Sequence, residues 1–424
     1  MLYFICDMDK YLIFDKPRDI FLTKKDRRAN IFINGMPSVG VSTFVYDLIK
    51  QEININSAPL IIFDSYGYLC DTILGTLSTL ELDKTAYIDL GDENNSPGLN
   101  IFNADIKQSE EIANILVNLL FDLYDPFRTG VIGPRFEHAV RNAVSSIMYD
   151  DNPDFNKLVN VLTDSEYLNS LIPKIQNPTV KNYWQKQIAQ TSDFHKSEIL
   201  DYIVSKFSKF LGDSRLSKIL NQPGTGLNLD FLLKNKKLII IDFAKLRSDA
   251  ISFKIVSEVF LYKLVNVIKK IDTRDDFISL YIDDLYDFTA SSITQILKEG
   301  KLFKLQTTLI STRFADLDEH LRNELLRCGS LVTFRLSSID ASHLSKEFHN
   351  KNITIERLSL LKKYHVFIKT LVDGNPAVYE EVNMEKSDLS VKQLESNELN
   401  NLKVKMHLDS INNTTGSSNL HPQE

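Results

Sequence analysis

Cysteine is scarce in this chain: Cys6, Cys70 and Cys328 stand far apart among 424 residues. With no Cys-x-x-Cys pair, the sequence builds neither a disulfide framework nor a cysteine zinc site, and it fits a reducing compartment. The eight histidines include no His-Glu-x-x-His motif. His343 and His349 lie six apart in a predicted helix and do not share a face, which assigns them surface roles. No apolar run reaches the length of a bilayer span, and the first residues lack the charged start of a signal peptide. The expectation is a cytoplasmic chain with no membrane anchor of its own, peripheral to a membrane through a partner if at all.

A basic excess is also missing. The net charge is −7, so any nucleic acid would be met by a local patch or a pore rather than by a generally cationic surface. One mixed cluster comprises Lys16, Arg18, Lys24, Lys25, Arg27 and Arg28, diluted by Asp15, Asp19 and Asp26. It reads equally well as a solvated lead-in to the first core strand. The remaining composition, 43% hydrophobic and 25% charged, is that of a globular protein. The length suits one large domain with an insertion, or two domains.

The most informative segment is residues 35–43, Gly-Met-Pro-Ser-Val-Gly-Val-Ser-Thr. Against the phosphate-loop pattern G-x-x-x-x-G-K-[ST], Gly35, Gly40 and Ser42 fall in register and Val41 takes the lysine position. A short apolar strand, 29–34, precedes the loop and a helical pattern follows from Phe44. That context is what a phosphate loop needs, because its anion site is made of backbone N–H groups at a helix N-terminus.

Five further apolar segments read as buried strands of a mostly parallel sheet: 59–64, 238–242, 278–284, 307–312 and 331–335. Helical patterns at 251–268 and 291–299 alternate with them, which predicts an α/β sheet covered on both faces. Residues 109–220 are almost wholly helical in pattern. Ile112, Leu116, Leu119, Leu120 and Leu123 form one apolar stripe, and Phe136, Val140, Val144 and Ile147 another. The organisation expected is a lead-in (1–28), a first core part (29–108), an inserted all-helical subdomain (109–225), a second core part ending in a hairpin around Asp373-Gly374-Asn375-Pro376 (226–383), and a polar, largely disordered tail (384–424).

A phosphoryl-transfer site needs an acid for the metal and a group that positions water. The strand 278–284 ends in Asp283 and Asp284. In this reading Ser42 touches Mg²⁺, Asp283 lies on the metal's outer shell through water, and Asp284 polarises the attacking water. The alternative is that both acids cap a buried strand.

The order of these motifs resembles the FtsK/HerA superfamily of ring-forming P-loop ATPases, in particular its conjugative coupling-protein branch (TraG/TraD-like, type IV secretion). The resemblance covers roughly residues 18–382. It rests on the loop, Asp64-Ser65-Tyr66-Gly67, Tyr87-Ile88-Asp89 with Gly98-Leu99-Asn100, Gly133-Pro134-Arg135-Phe136-Glu137-His138 with Arg141-Asn142-Ala143, and the segments 238–243, 281–284, 308–313 and 364–374.

The resemblance implies a RecA-like core, ATP and Mg²⁺ as cofactors, self or paralogous subunits in a hexameric ring, and DNA or secretion components as partners. It implies nucleotide contacts at Gly35, Ser38, Val39, Gly40, Val41, Ser42 and Thr43. Four positions depart from the pattern. Val41 replaces the lysine, Tyr68 stands where an acid is usual, Asp284 replaces a glutamate and Arg313 replaces a glutamine. Arg313 offers a compensating cation if its side chain reaches the phosphates, while Arg335 and Arg327 are candidates for an arginine acting on a neighbouring subunit, although for either one alone a surface salt bridge is the favoured reading. The readings left open are a nucleotide-binding subunit with impaired hydrolysis, a working DNA translocase with a borrowed cation, and a non-enzymatic scaffold.

Overall fold

The computed structural model describes residues 10–14, 20–188, 193–222, 226–271, 276–384 and 394–415. The chain divides into two compact units, one of residues 1–89, 229–247 and 266–410 and the other of residues 90–228, 248–265 and 411–424.

The first unit holds the strands. A hairpin of β1 (Lys10–Phe14) and β2 (Ile20–Thr23) comes first. There follow β3 (Ile31–Asn34), β4 (Leu60–Asp64), β5 (Thr85–Asp89), β6 (Leu238–Asp242), β7 (Ile278–Asp283), β8 (Leu305–Ser311), β9 (Ser330–Thr333), β10 (His365–Val372) and β11 (Asn375–Asn383). Among the described residues these nine form one sheet in the order β11-β10-β9-β3-β8-β7-β4-β6-β5. From β9 to β5 every pairing is parallel, and β10 and β11 add an antiparallel edge. Strands β3, β4, β5, β6 and β8 are buried along their whole length, which is why they read as continuous apolar runs rather than alternating ones. The sheet is the mostly parallel one expected, with β8 seated between the loop strand β3 and the acid strand β7.

The polar residues inside these strands have a specific use. Arg27 and Glu52 are both almost fully buried and face each other at 3.5 Å. The Arg27 guanidinium also donates to the Thr307 carbonyl at 3.0 Å and to Thr308 Oγ1 at 2.7 Å. Glu52 accepts from Ser279 Oγ, from the Tyr281 hydroxyl and from Gln306 Nε2. One ion pair therefore ties the helix that follows the loop (Val41–Ile55) to β7 and β8. It also corrects the basic-patch reading, because Arg27 is a core residue. Lys24 is paired with Asp276, and Arg28 covers the ring of Phe277. Lys16 and Arg18 lie outside the described residues.

Asp26 next to Arg27 holds the far end of the chain. Its carboxylate accepts from the N–H groups of Asp373 and Gly374 at 3.0 and 2.9 Å. Both turn residues have positive φ, 50° and 81°, the conformation of a tight two-residue hairpin.

The second unit is helical. Its helices include Ser109–Tyr124, Pro134–Ile147, Phe155–Thr163, Asp193–Gly212 and Ser214–Leu220. Phe155 packs on Phe102 and Phe210 at ring separations of 4.9 and 5.0 Å. Both predicted stripes face inward, except that Leu123 is only half-buried.

One expectation fails in part. The polar tail was expected to be disordered, yet Ser396–Thr415 is a helix. Its Met406, His407 and Ser410 are buried, and Lys403 bonds Asp71 and Asp242 at 2.8 and 3.2 Å. A handful of buried contacts, rather than an apolar stripe, hold it in place. Residues 416–424 lie outside the described residues.

Breaking a buried ion pair by removing one partner leaves an uncompensated charge, at a cost of roughly 3–5 kcal/mol. Arg27→Met should lower unfolding free energy by about that amount in urea titration, and Arg27→Met with Glu52→Leu should recover part of it. A single mutant within about 1 kcal/mol of wild type would contradict this role for the pair.

Candidate nucleotide site

The loop leaves β3 at Asn34 and enters the helix Val41–Ile55 at Gly40. Its first N–H groups are spent on the sheet: Gly35 donates to the Ser311 carbonyl and Met36 to that of Arg335. Ser38 at φ 65° and Gly40 at φ 116° then turn the chain sharply. Both motif glycines are required by packing as well. A Cβ on Gly35 would lie 2.6 Å from Phe334 Cβ and 2.8 Å from Val41 Cγ2, and one on Gly40 would lie 2.6 Å from the Tyr364 ring.

The helix starts with no side-chain cap. Its first-turn N–H groups therefore have no intrahelical acceptor, and they form a concentrated positive end suited to an anion. Val41 does not project freely from this turn. It is half-buried and packed against the apolar cluster that contains Phe44 and Phe334. Ser42 and Thr43 are partly exposed on the same turn.

The acids sit at the C-terminal ends of the parallel strands. In register, Asp89 lies opposite Asp242, Asp242 opposite Asp64, and Asp64 opposite Asp283. Asp64 is fully engaged, accepting from the N–H groups of Tyr66, Gly67 and Cys70. Asp242 accepts from the Tyr87 hydroxyl and pairs with Lys403, and Asp89 pairs with Lys245 at 2.5 Å. Asp283 faces two like charges. Burial, then the charges of Asp64 and Asp284, push its carboxyl up to about 8, opposed by Arg247.

Asp284 is 1% exposed. Its Oδ2 accepts from Thr312 Oγ1 at 2.5 Å, its N–H donates to Ser65 Oγ at 3.2 Å, and burial raises its pKa. Its Oδ1 accepts from the Tyr286 N–H at 3.4 Å, so each carboxylate oxygen has a protein donor. Arg313 stacks on the Tyr286 ring at 3.5 Å and bears electrostatically on Asp284, so its guanidinium is placed on the acid side. Arg335 is half-buried and meets the loop through its own carbonyl. Arg327 pairs with Glu324 at 2.8 Å on the surface. Sequence reasoning gave no role to Ser65, Thr312 and Tyr286 around Asp284 or to Tyr364 over Gly40. Ser65, Thr312 and Tyr364 lie in segments that carry the resemblance, but no local pattern shows which acid or glycine they meet.

No protein-family profile and no curated protein matches this sequence. Solved structures do. The plasmid coupling protein TrwB in complex with ADP and Mg²⁺ is 13% identical over 88% of each chain, with a TM-score of 0.64. TrwB with the GTP analogue GDPNP is 13% identical over 88% of this chain and 89% of its own, also at 0.64. VirB4 of Thermoanaerobacter pseudethanolicus is 11% identical over 90% of this chain and 97% of its own, at 0.60. The chain has their RecA-like P-loop fold. With that fold shared across the length of both proteins, the loop and the acid row lie on a sheet of known type. Among the described residues no helix is long and apolar enough to cross a membrane.

The raised Asp283 carboxyl has a stability consequence. Its folded pKa, about 8, exceeds an ordinary unfolded value near 3.9. Between those values the folded state binds the extra proton, so this group's contribution falls as pH rises from about 4 to about 8 and is flat above. Asp283→Asn should therefore raise Tm at pH 8.5 and leave it nearly unchanged at pH 4. Equal shifts at both pH values would refute the assignment.

Proposed function

We propose that the chain is a TraG/HerA-like P-loop protein related to conjugative coupling and type IV secretion ATPases, which binds a nucleoside triphosphate but hydrolyses it slowly or not at all. One observation carries the binding half: the uncapped first turn of the helix Val41–Ile55, entered through Gly40 at φ 116°. Backbone N–H groups from Ser38, Val39, Gly40, Val41, Ser42 and Thr43 would hold the phosphates, with Gly35 permitting the turn. Mg²⁺ commonly binds through one or two carboxylates together with substrate phosphates, a demand that Asp283, through water, and the Ser42 hydroxyl fit. Bound nucleotide and metal would supply the phosphoryl-transfer chemistry. TrwB itself has been seen with ADP and Mg²⁺ and with non-hydrolysable ATP and GTP analogues.

Impaired turnover rests on two features. A lysine ammonium near the β- and γ-phosphates contributes on the order of 4 kcal/mol of Coulomb attraction at an effective dielectric near 20, and it also follows charge developing in the transition state. Val41 does neither. Asp284, the proposed water-positioning acid, is buried and hydrogen-bonded to Thr312. We place the protein in a ring with copies of itself or with an active paralogue, where Arg335 would face a neighbouring site, with DNA or secretion components as cargo and any membrane contact supplied by a partner.

Thermal-shift and turnover assays test this together. ATP with Mg²⁺ should raise Tm, turnover should stay near background with or without DNA, and Val41→Lys should tighten binding. Robust turnover abolished by Asp283→Ala would favour a working motor over the present reading. Absence of any nucleotide-dependent shift would favour a scaffold, and Val41→Lys without tighter binding would refute a preformed loop.

A further inference from the structure

If the loop holds phosphates without its own lysine, another cation on this chain could stand beside them. The named arginines are poorly placed for that. Arg313 is stacked on Tyr286 at 3.5 Å, on the acid side. Arg335 follows Phe334, whose side chain presses on the positions of Gly35 and Gly40. Arg335 itself meets the loop through its backbone carbonyl, which accepts from the Met36 N–H.

The segment entering β10 is different. Tyr364 donates its N–H to the carbonyl of Val39, inside the loop, at 2.9 Å. Its ring edge lies against Gly40, so close that any side chain there would collide at 2.6 Å. Tyr364 holds a left-handed backbone, φ 64°, and its carbonyl accepts from the Met384 N–H at 2.8 Å. Both sides of this residue are thus pinned. The preceding Lys363 is exposed, and its Nζ stands 5.0 Å from the centroid of the Tyr364 ring. Its contact is with that ring, and among the described residues no carboxylate pairs with it. Lys363 thus carries a flexible cation on a ring that itself rests on the loop's second glycine, beside the place where the loop would hold an anion.

We propose that Lys363 supplies the phosphate-binding cation that Val41 has vacated, acting from the strand-β10 side of the loop. The inference rests on the nucleotide-binding reading above. It assigns the cation to the same chain, so nucleotide affinity would not require a neighbouring subunit. A stem of this length gives charge neutralisation of a bound triphosphate without the fixed geometry of a lysine on the helix itself, which is consistent with binding that outlasts turnover.

The test measures dissociation constants for a fluorescent ATP analogue and for adenosine on the full chain, as wild type, Lys363→Met, Lys363→Arg and Lys362→Met. Lys363→Met should weaken the triphosphate roughly tenfold, about 1.4 kcal/mol, and leave adenosine unchanged. Lys363→Arg should keep most of the affinity, and Lys362→Met, a neighbouring exposed lysine, should match wild type. Because Lys363 is exposed, its variants should melt with wild type, which separates lost charge from lost fold. Wild-type binding that persists unchanged in Lys363→Met, or falls equally in Lys362→Met, would overturn the role of Lys363 alone. A wild-type chain that binds neither ligand would overturn the nucleotide reading and this inference together.

Discussion

The buried pair of Arg27 and Glu52 is the constraint on which the candidate site depends. Glu52 sits late in the helix that begins at the loop, and its carboxylate is held by Ser279 and Tyr281 of β7 and by Gln306 of β8. Arg27 closes the arrangement from the other side through Thr307 and Thr308. The loop helix, the acid strand and the strand between them are thereby fixed at one end by charge-assisted hydrogen bonds inside the core. Apolar packing alone is non-directional and would allow the helix to slide along the sheet. A satisfied buried network defines one register, so the distance from the loop to Asp283 is set at the opposite end of the same elements.

That opposite end carries an electrostatic burden. Register pairing sets Asp89, Asp242, Asp64 and Asp283 side by side. Like charges at such spacing repel, and burial disfavours ionisation further. Three of them are relieved locally: Asp89 by Lys245, Asp242 by Lys403 and Tyr87, and Asp64 by backbone N–H groups. Lys403 comes from the C-terminal helix, which explains how a segment of low apolar content is nonetheless ordered. Asp283 is left facing Asp64 and Asp284, opposed by Arg247, and the Mg²⁺ proposed above would offset that repulsion.

The strands were readable because each is an uninterrupted apolar run. Leu238–Asp242 was recovered to the residue, and the others to within one or two. Strand β5 carries Thr85 and Tyr87 among its residues and was legible only through the resemblance of Tyr87-Ile88-Asp89. The buried role of Arg27 was not legible, since a cation beside Arg28 and Asp26 in a charged lead-in has the composition of a solvated surface. Its partners come from positions 25 to 281 residues away, and no local pattern encodes such a meeting. The same applies to Tyr364 over Gly40. Sequence spacing places Gly40 in a loop, but only the path of β10 shows what covers it. The polar tail misled for the opposite reason: low hydropathy argued against a core contact, whereas a few buried side chains and one lysine sufficed.

Val41 looks different in this setting than in the motif alone. A phosphate loop needs a cation, but the backbone shape of the loop does not depend on that cation. The shape comes from Gly35 under Phe334, Gly40 under Tyr364 and the hydrogen bonds from Gly35 and Met36 to the adjoining strand ends. Valine at 41 adds to the packing by filling space against the apolar cluster, so it supports the fold of the loop and brings no charge to it. Ground-state anion binding by main-chain N–H groups and transition-state stabilisation by lysine are separable contributions. A chain that keeps the first and lacks the second, and that also buries Asp284 against Thr312, would hold a nucleotide longer than it would consume it. In the ring proposed above, occupancy rather than turnover would then be what a neighbouring subunit senses.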